Sequence, residues 1–355
     1  MAKPANSVIG IDLGRHVFKG VLLQRKGEQR FVLTHYASRP VPETIANADE
    51  LSQQVKLLLK DLGGSAKNYA VAASDPTALL RIVEQPTTPV ELLRTALRFN
   101  GLAVLNQECK DFVLDCAPVS AVAVAGVAPD GSAIESTSST PGKTRYLVGG
   151  MRRPTVKQIS EAFSKTKAAA SLLQLAPICS FNAFEFAHPE VFANEAFLLL
   201  DMGHEQSTVL IGRKGELMLA RSVGYGGKVF GETLTAEGAV DVVGARLLMQ
   251  EGDAGIAEIC RSSLLGLATE VRNSIGFFEG QHEESIHRIF VSGGMAKTEM
   301  ILQTLSDELG LPCEIWDPLE TCEVALPAAK RQALANEFVS LNVACGAAIS
   351  YLKAA

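Results

Sequence analysis

Val8-Ile9-Gly10-Ile11-Asp12-Leu13-Gly14 reads as a buried strand that breaks into an acid and a glycine. Leu198-Leu199-Leu200-Asp201-Met202-Gly203 repeats the phrase, 201 − 12 = 189 positions later. A second β-rich run follows each copy, Val17 to Leu23 and Ser207 to Gly212, so the twin pattern is strand, Asp-x-Gly turn, strand. One Asp-x-Gly means little, because any hairpin can carry it. Two copies in matching contexts imply two structurally equivalent halves. Facing hairpins of this kind can clamp a polyphosphate with their turn amides, while the two carboxylates hold Mg2+, usually through its waters.

The bulk properties narrow the function. A chain of 355 residues exceeds one ordinary core, so two domains are expected. An apolar content of 47% with 20% charged residues describes a folded globular protein. A net charge of −6 and the lack of any basic run remove the electrostatic argument for nucleic acid or an anionic membrane. The first seven residues lead straight into a strand, so a cleavable signal is not expected. The most apolar stretch, Val119 to Val127, is too short to span a bilayer. Seven cysteines (Cys109, Cys116, Cys179, Cys260, Cys313, Cys322 and Cys345) form no Cys-x-x-Cys pair, which favours reduced, buried thiols in the cytosol over a zinc site.

Along the chain, residues 8–23 and 29–38 read as three strands, with Arg25-Lys26-Gly27-Glu28 as a polar turn. Leu51, Val55, Leu58, Leu59 and Leu62 have helical spacing that ends at Gly63-Gly64, and Tyr69 to Ala73 returns as a buried strand. Thr88 with Glu91, and Thr155 with Gln158, have the spacing of helix-capping pairs. Phe112 to Pro118, Ser120 to Val127 and Tyr146 to Gly150 read as strands. Residues 128–144, with Asp130-Gly131, form a polar hairpin tip. Residues 84–166 thus form a small α+β unit inserted in the first half. Short helical patterns at Asn182–Ala187, Leu264–Phe278 and Thr298–Leu309 flank the second set of strands. A last helix at Asn336–Leu352 carries Ala344-Cys345-Gly346-Ala347-Ala348, whose small side chains let two helices approach closely.

The candidate site residues follow from the repeat. Asp12 and Asp201, with Gly14 and Gly203 in their turns, are the metal- and phosphate-facing pair. Lys19, on the return strand, reaches a phosphate as a point charge or is a solvated strand lysine. Gly293, Gly294 and Met295 end a buried strand, either to admit a flat base such as adenine or as a plain strand-to-helix turn. Glu270 and Asn273, one turn apart, face that cleft or the surface. Gly226 and Gly227 make a tight turn beside a nucleotide if the fold supplies one. His16 and His204 sit in the two turns with no third ligand at metal spacing.

The order of these motifs resembles the actin-like ATPase superfamily. Its two phosphate turns look like Ile11-Asp12-Leu13-Gly14 and Leu200-Asp201-Met202-Gly203, and its adenosine motif looks like Val291-Ser292-Gly293-Gly294-Met295. Its interlobe helix looks like Ala344-Cys345-Gly346-Ala347. Within that superfamily the chain resembles the PilM family of type IV pilus assembly, and next FtsA of cell division. Leu217 to Phe230, Glu270 to Phe278 and Glu91 to Pro118 are the local phrases that carry this. The resemblance implies an α/β fold of two actin-like lobes, duplicated ribonuclease-H-like domains. Residues 1–188 would form the first lobe, with the insertion at 84–166. Residues 189–355 would form the second, the last helix returning to the first lobe. It further implies ATP and Mg2+ held between the lobes by Asp12, Gly14, Arg15, Lys19, Asp201, Gly203, Gly226, Gly227, Glu270, Asn273, Gly293, Gly294 and Met295. The implied partner is the N-terminal cytoplasmic tail of a PilN-like inner-membrane protein, gripped in part by the inserted unit. That partner would make the protein cytoplasmic and peripheral to the membrane.

The departures from the family carry equal information. Where small hydroxyl residues are usual after the first turn, Arg15-His16-Val17 follow Gly14, and His204-Glu205-Gln206 follow Gly203. Bulk obstructs an amide cradle, and Glu205 sets a carboxylate against phosphate. Arg15 either pairs with Glu205 or binds a phosphate itself. Lys228 stands where the family tends to have Asn or Asp. Hydrolysis is therefore expected to be weak or absent. A small-molecule kinase of the same superfamily is the alternative, but the insertion shows no Asp-rich segment for substrate. An FtsA-like membrane tether is another, but residues 349–355 are too short for an amphipathic helix.

Overall fold

The computed structural model describes residues 6–27, 30–119, 142–166, 168–238 and 241–354. The first half opens with β1 (Ser7–Leu13), β2 (Val17–Arg25) and β3 (Phe31–Pro40), then α1 (Ala48–Leu62) and β4 (Tyr69–Ala73). There follow β5 (Leu79–Pro86), α2 (Val90–Leu105), β6 (Phe112–Pro118), β7 (Lys143–Arg152) and α3 (Arg153–Ser164). β8 (Ala170–Leu175), α4 (Ala176–Ala187) and α5 (Pro189–Asn194) lead to the second half. That half holds β9 (Ala196–Met202), β10 (Ser207–Arg213), β11 (Glu216–Val223), α6 (Gly227–Gly238), α7 (Val242–Glu251) and α8 (Ala254–His282). It continues with β12 (Ile289–Ser292), α9 (Glu299–Leu309), β13 (Cys313–Ile315), β14 (Glu323–Val324), α10 (Ala328–Leu334) and α11 (Asn342–Ala354).

Three sheets result. One runs β14-β3-β2-β1-β4-β8, the second β11-β10-β9-β12-β13, and the third β5-β7-β6. In the first, β2 is antiparallel to β1 and β4 parallel to it. In the second, β10 and β12 stand in the same relation to β9. The repeated phrase is therefore a repeated three-strand unit.

Both central strands are buried on both faces, which is why they read as continuous apolar runs rather than as alternation. Val8 faces a core shared with Ala344, Cys345 and Ala348 of α11, whereas Ile9 and Ile11 face α1 and α3. Leu198 and Leu200 pack on α8 and α9, and Phe197 and Leu199 pack on Phe181 and Phe184 of α4. Thus α11 covers the first sheet, α4 covers the second, and the two helices meet. The contact depends on glycine: a Cβ at Gly346 would overlap the Cys179 carbonyl oxygen, and one at Gly10 would overlap that of Ala344.

Several expected boundaries move, each for a physical reason. α4 begins at Ala176 rather than Asn182; it is buried all round, so it shows no polar stripe to mark its first turns. Thr88 does not cap α2, because its hydroxyl donates to the Pro86 carbonyl (2.7 Å) and its N–H to the Tyr146 hydroxyl (2.9 Å). Thr155 does not open α3, which starts at Arg153 directly from β7, and Gln158 donates instead to the Ile45 carbonyl. α8 is longer than its legible centre and starts behind Asp253, whose side chain accepts from the Ile256 N–H. The last helix is split: a 3-10 turn at Phe338–Ser340 precedes α11, which begins at Asn342. The strand expected at 120–127 and the hairpin tip with Asp130 and Gly131 lie outside the described residues.

Candidate functional site: the cleft between the two Asp-x-Gly hairpins

Asp12 ends β1 and pairs across the hairpin with Lys19; Asp201 ends β9 and pairs with Thr208. On the parallel side Asp12 lies beside Ala72, and Asp201 beside Ser292. Each turn requires its glycine for the same reason. A Cβ at Gly14 would stand 2.6 Å from the Val17 carbonyl oxygen, and one at Gly203 would stand 2.7 Å from that of Gln206. The turns are thus geometric copies, set at the carboxyl ends of the central strands, where open α/β sheets place their ligands.

The two carboxylates differ in their surroundings. Asp12 is buried, its Oδ2 accepts from Lys19 Nζ at 3.0 Å, and its Oδ1 is buried without a hydrogen-bond partner among the described residues. Asp201 Oδ1 accepts from Ser292 Oγ (2.9 Å) and Asn342 Nδ2 (3.2 Å). Burial pushes the Asp201 carboxyl above the usual carboxylate range and the Asp12 charge adds to this, while Lys19 and the two donors oppose it. Asn342, buried at the first position of α11, also reaches Ser180 Oγ of α4 (3.0 Å) and Ser292 Oγ (3.1 Å). One amide therefore ties α4, α11 and β12 to the second carboxylate. The amide NH2 has two hydrogens, so it serves at most two of these three oxygens at once.

Side chains of the two turns meet across the cleft. Arg15 Nε donates to Glu205 Oε2 at 3.0 Å. The His16 and His204 rings stack with centroids 4.3 Å apart and planes at 17°. Lys228 pairs with Glu43 beside them. Burial lowers the His204 pKa, His16 and Lys228 lower it further, and Glu205 and Glu43 act in the opposite sense. Behind the second turn, the Gly227 N–H donates to the Gly203 carbonyl (2.9 Å) and the Lys228 N–H to that of His204 (2.8 Å). A Cβ at Gly226 would collide with the same carbonyls, so Gly226-Gly227 braces the turn.

These residues line a cavity of about 1300 Å³. Its far end is apolar, with Phe230, Leu234, Ala245, Met249, Met295 and Met300, and passes Gly293 and Gly294. Gly293 has φ +97°, and a Cβ there would overlap the Met202 carbonyl oxygen. The cavity brings together Asp12, Gly14, Arg15, Lys19, Asp201, Gly203, Gly227, Gly293, Gly294 and Met295. Gly226 supports it from behind. Glu270 and Asn273 do not line it: Glu270 pairs with Arg221 of β11, and Asn273 is exposed on α8. Helical spacing places those two on one face without saying what that face looks at. Asn342 and Ser180 went unnoticed in the sequence, since neither belongs to a motif or a periodic face.

Duplicated hairpins, a shared cleft at their turns and two helices between the sheets define the actin-like ATPase fold. The PilM–PilN type IV pilus biogenesis complex shares it over 97% of this chain and 98% of that one, at 23% identity and a TM-score of 0.79. The ethanolamine utilization protein EutJ from Carboxydothermus hydrogenoformans is more distant, with a TM-score of 0.54 at 12% identity over 98% and 90% of the two chains. Component A of (R)-2-hydroxyglutaryl-CoA dehydratase from Acidaminococcus fermentans gives 0.51 at 12% identity over 99% of each. At these identities the likeness is one of fold. No curated protein sequence gives a significant match. The family pattern for the type IV pilus assembly protein PilM matches residues 113–351. The chain belongs to the PilM family of type IV pilus assembly proteins. No helix among the described residues is long and apolar enough to cross a membrane.

Proposed function

We propose that this chain is a cytoplasmic scaffold of a type IV pilus or related secretion assembly. It grips the N-terminal cytoplasmic tail of a PilN-like inner-membrane protein, and through that partner it sits at the membrane. Family membership supports this reading. The observation that carries the tail-binding part is an apolar surface on the three-stranded unit. Phe99 is 87% exposed and Leu92 61%, and Leu102 and Val113 are 46% and 43% exposed. Phe99, Leu102 and Val113 line a cavity of about 370 Å³ together with apolar Leu97, Phe112 and Leu114 and with charged Arg98, Glu108, Lys110 and Arg153. Large apolar side chains held out in water mark a surface built for a partner.

The cleft is a nucleotide site with a reduced affinity for phosphate. Asp12 Oδ1, without a partner among the described residues, and the carboxylate of Asp201 suit a hydrated Mg2+. When bound, the ion would supply neutralising charge to the phosphates. The chain's own cations are already engaged, Arg15 by Glu205, Lys19 by Asp12 and Lys228 by Glu43.

Calorimetry tests the partner reading, with a synthetic peptide of the N-terminal cytoplasmic tail of a PilN-like single-span membrane protein. Binding is expected, and Phe99→Ser should weaken it by about 10- to 30-fold, the loss of a central aromatic anchor. No binding, or an unchanged affinity in the variant, would overturn it.

A further inference from the structure

We propose that the stacked His16–His204 pair is a proton-operated clasp, which holds the phosphate end of the cleft shut while the His204 ring is neutral and releases it when that ring charges. The two rings are mounted on different halves of the molecule. The His16 carbonyl accepts from the Val41 N–H at 3.0 Å, in the segment after β3. The His204 carbonyl accepts from the Lys228 N–H at 2.8 Å, at the start of α6. Parting the rings therefore moves one hairpin turn relative to the other. Neutral imidazoles 4.3 Å apart attract as flat, polarisable surfaces. A His204 imidazolium in the same place is part-stripped of water and lies near the Lys228 charge, so charging that ring disfavours the closed stack.

The charged groups around the stack come from every element packed on it. Arg15 and Glu205 belong to the two turns, Glu43 to the segment after β3 and Lys228 to α6, with Asp12, Lys19 and Asp201 deeper in the cleft. Arg15–Glu205 and Lys228–Glu43 are closed pairs, which blunt but do not remove the pull of the two carboxylates on a charged His204 ring.

The sign follows from burial. Within the closed cleft the His204 pKa is lowered by desolvation, then by His16 and Lys228. Opening returns the ring to water and to its ordinary value of 6.5, so opening takes up protons. The clasp is at full strength above that ordinary value and is lost as pH falls through the lowered one. This device stands apart from the partner-binding role and regulates access to the cleft.

Amide hydrogen exchange on the full chain, without nucleotide or peptide, tests it at about pH 7.5 and about pH 5.5, with rates corrected for intrinsic chemistry. Protection in residues 13–17 and 203–206 is expected to fall by about fivefold or more at the lower pH, the population shift of a histidine-gated opening. His204→Gln should abolish most of that acid response. Glu205→Gln should loosen both turns at both pH values and keep the response. Equal protection at the two pH values in the parent chain, or an undiminished response in His204→Gln, would overturn the clasp. Because no ligand enters the measurement, such a failure leaves the proposed function standing.

Discussion

Replacing Glu205 with glutamine is expected to tighten ATP–Mg2+ binding about tenfold. Glu205 presents its carboxylate at the turn where a phosphate would enter and holds Arg15 at 3.0 Å. A phosphate charge ~4 Å from that carboxylate is repelled by about 4 kcal/mol at an effective dielectric near 20, and by about 1 kcal/mol in bulk water. The two side chains are 49% and 26% exposed, so the aqueous end of the range applies, and about 1.4 kcal/mol corresponds to tenfold. The freed Arg15 then offers a charge-assisted hydrogen bond in place of the one it gave Glu205. Calorimetric titration of the parent chain, Glu205→Gln, Arg15→Gln and the double variant separates the terms. Arg15→Gln should change little by itself, because Arg15 is occupied, and in the Glu205→Gln background should remove the part of the gain that the freed guanidinium supplies. Nanomolar to low-micromolar ATP affinity in the parent chain would refute the reasoning. So would an Arg15→Gln loss of equal size in both backgrounds, which would place Arg15 on phosphate from the start.

Gly346→Ala should destabilise the protein by about 3 kcal/mol, the upper end of ordinary overpacking, because the added methyl meets the backbone of α4 and no side-chain rotation relieves it. Gly276→Ala on α8, where a methyl meets nothing within 4 Å, should instead stabilise by about 0.5–1 kcal/mol. Denaturant unfolding followed by the single tryptophan, buried Trp316, reads both; equal effects would deny the close helix approach. Asn342→Ala should cost about 2 kcal/mol at a pH where the Asp201 carboxyl is ionised, by removing a donor from it. That cost should shrink as pH falls through the raised Asp201 value, since a protonated carboxyl needs the donor less. A pH-independent loss would mean that Asn342 acts through packing alone.

What could be read in the sequence was what local sterics demand. Asp-x-Gly stood out twice because each turn folds its own carbonyl back over the glycine, at Val17 and at Gln206, and tolerates no Cβ. The Arg15–Glu205 pairing was legible as one of two options because opposite charges follow each turn. The His16–His204 stack was not, since nothing local says that two rings 188 positions apart (204 − 16) are stacked face to face. The start of α4 escaped because a helix buried on all sides has no amphipathic period. Glu270 and Asn273 show the converse failure. Their spacing gives a shared face, but Arg221 on β11 decides where Glu270 points.

The cleft is asymmetric in a way that links its state to the rest of the fold. On the first side Asp12 is answered by a cation, Lys19, within its own hairpin. On the second side the register partner is Thr208, and Asp201 draws its donors from β12 and from the first residue of α11. That residue also bonds α4, and α4 and α11 are the helices on which the two sheets rest. Cleft occupancy at Asp201 is therefore wired to the packing between halves, whereas occupancy at Asp12 is absorbed locally. The glycines at Gly10 and Gly346 leave that packing no slack, so a displacement of Asn342 is passed to both helices rather than dissipated. Arg15–Glu205 and His16–His204 close the turn end of the same cleft, so both ends of this linkage are held by contacts within the chain.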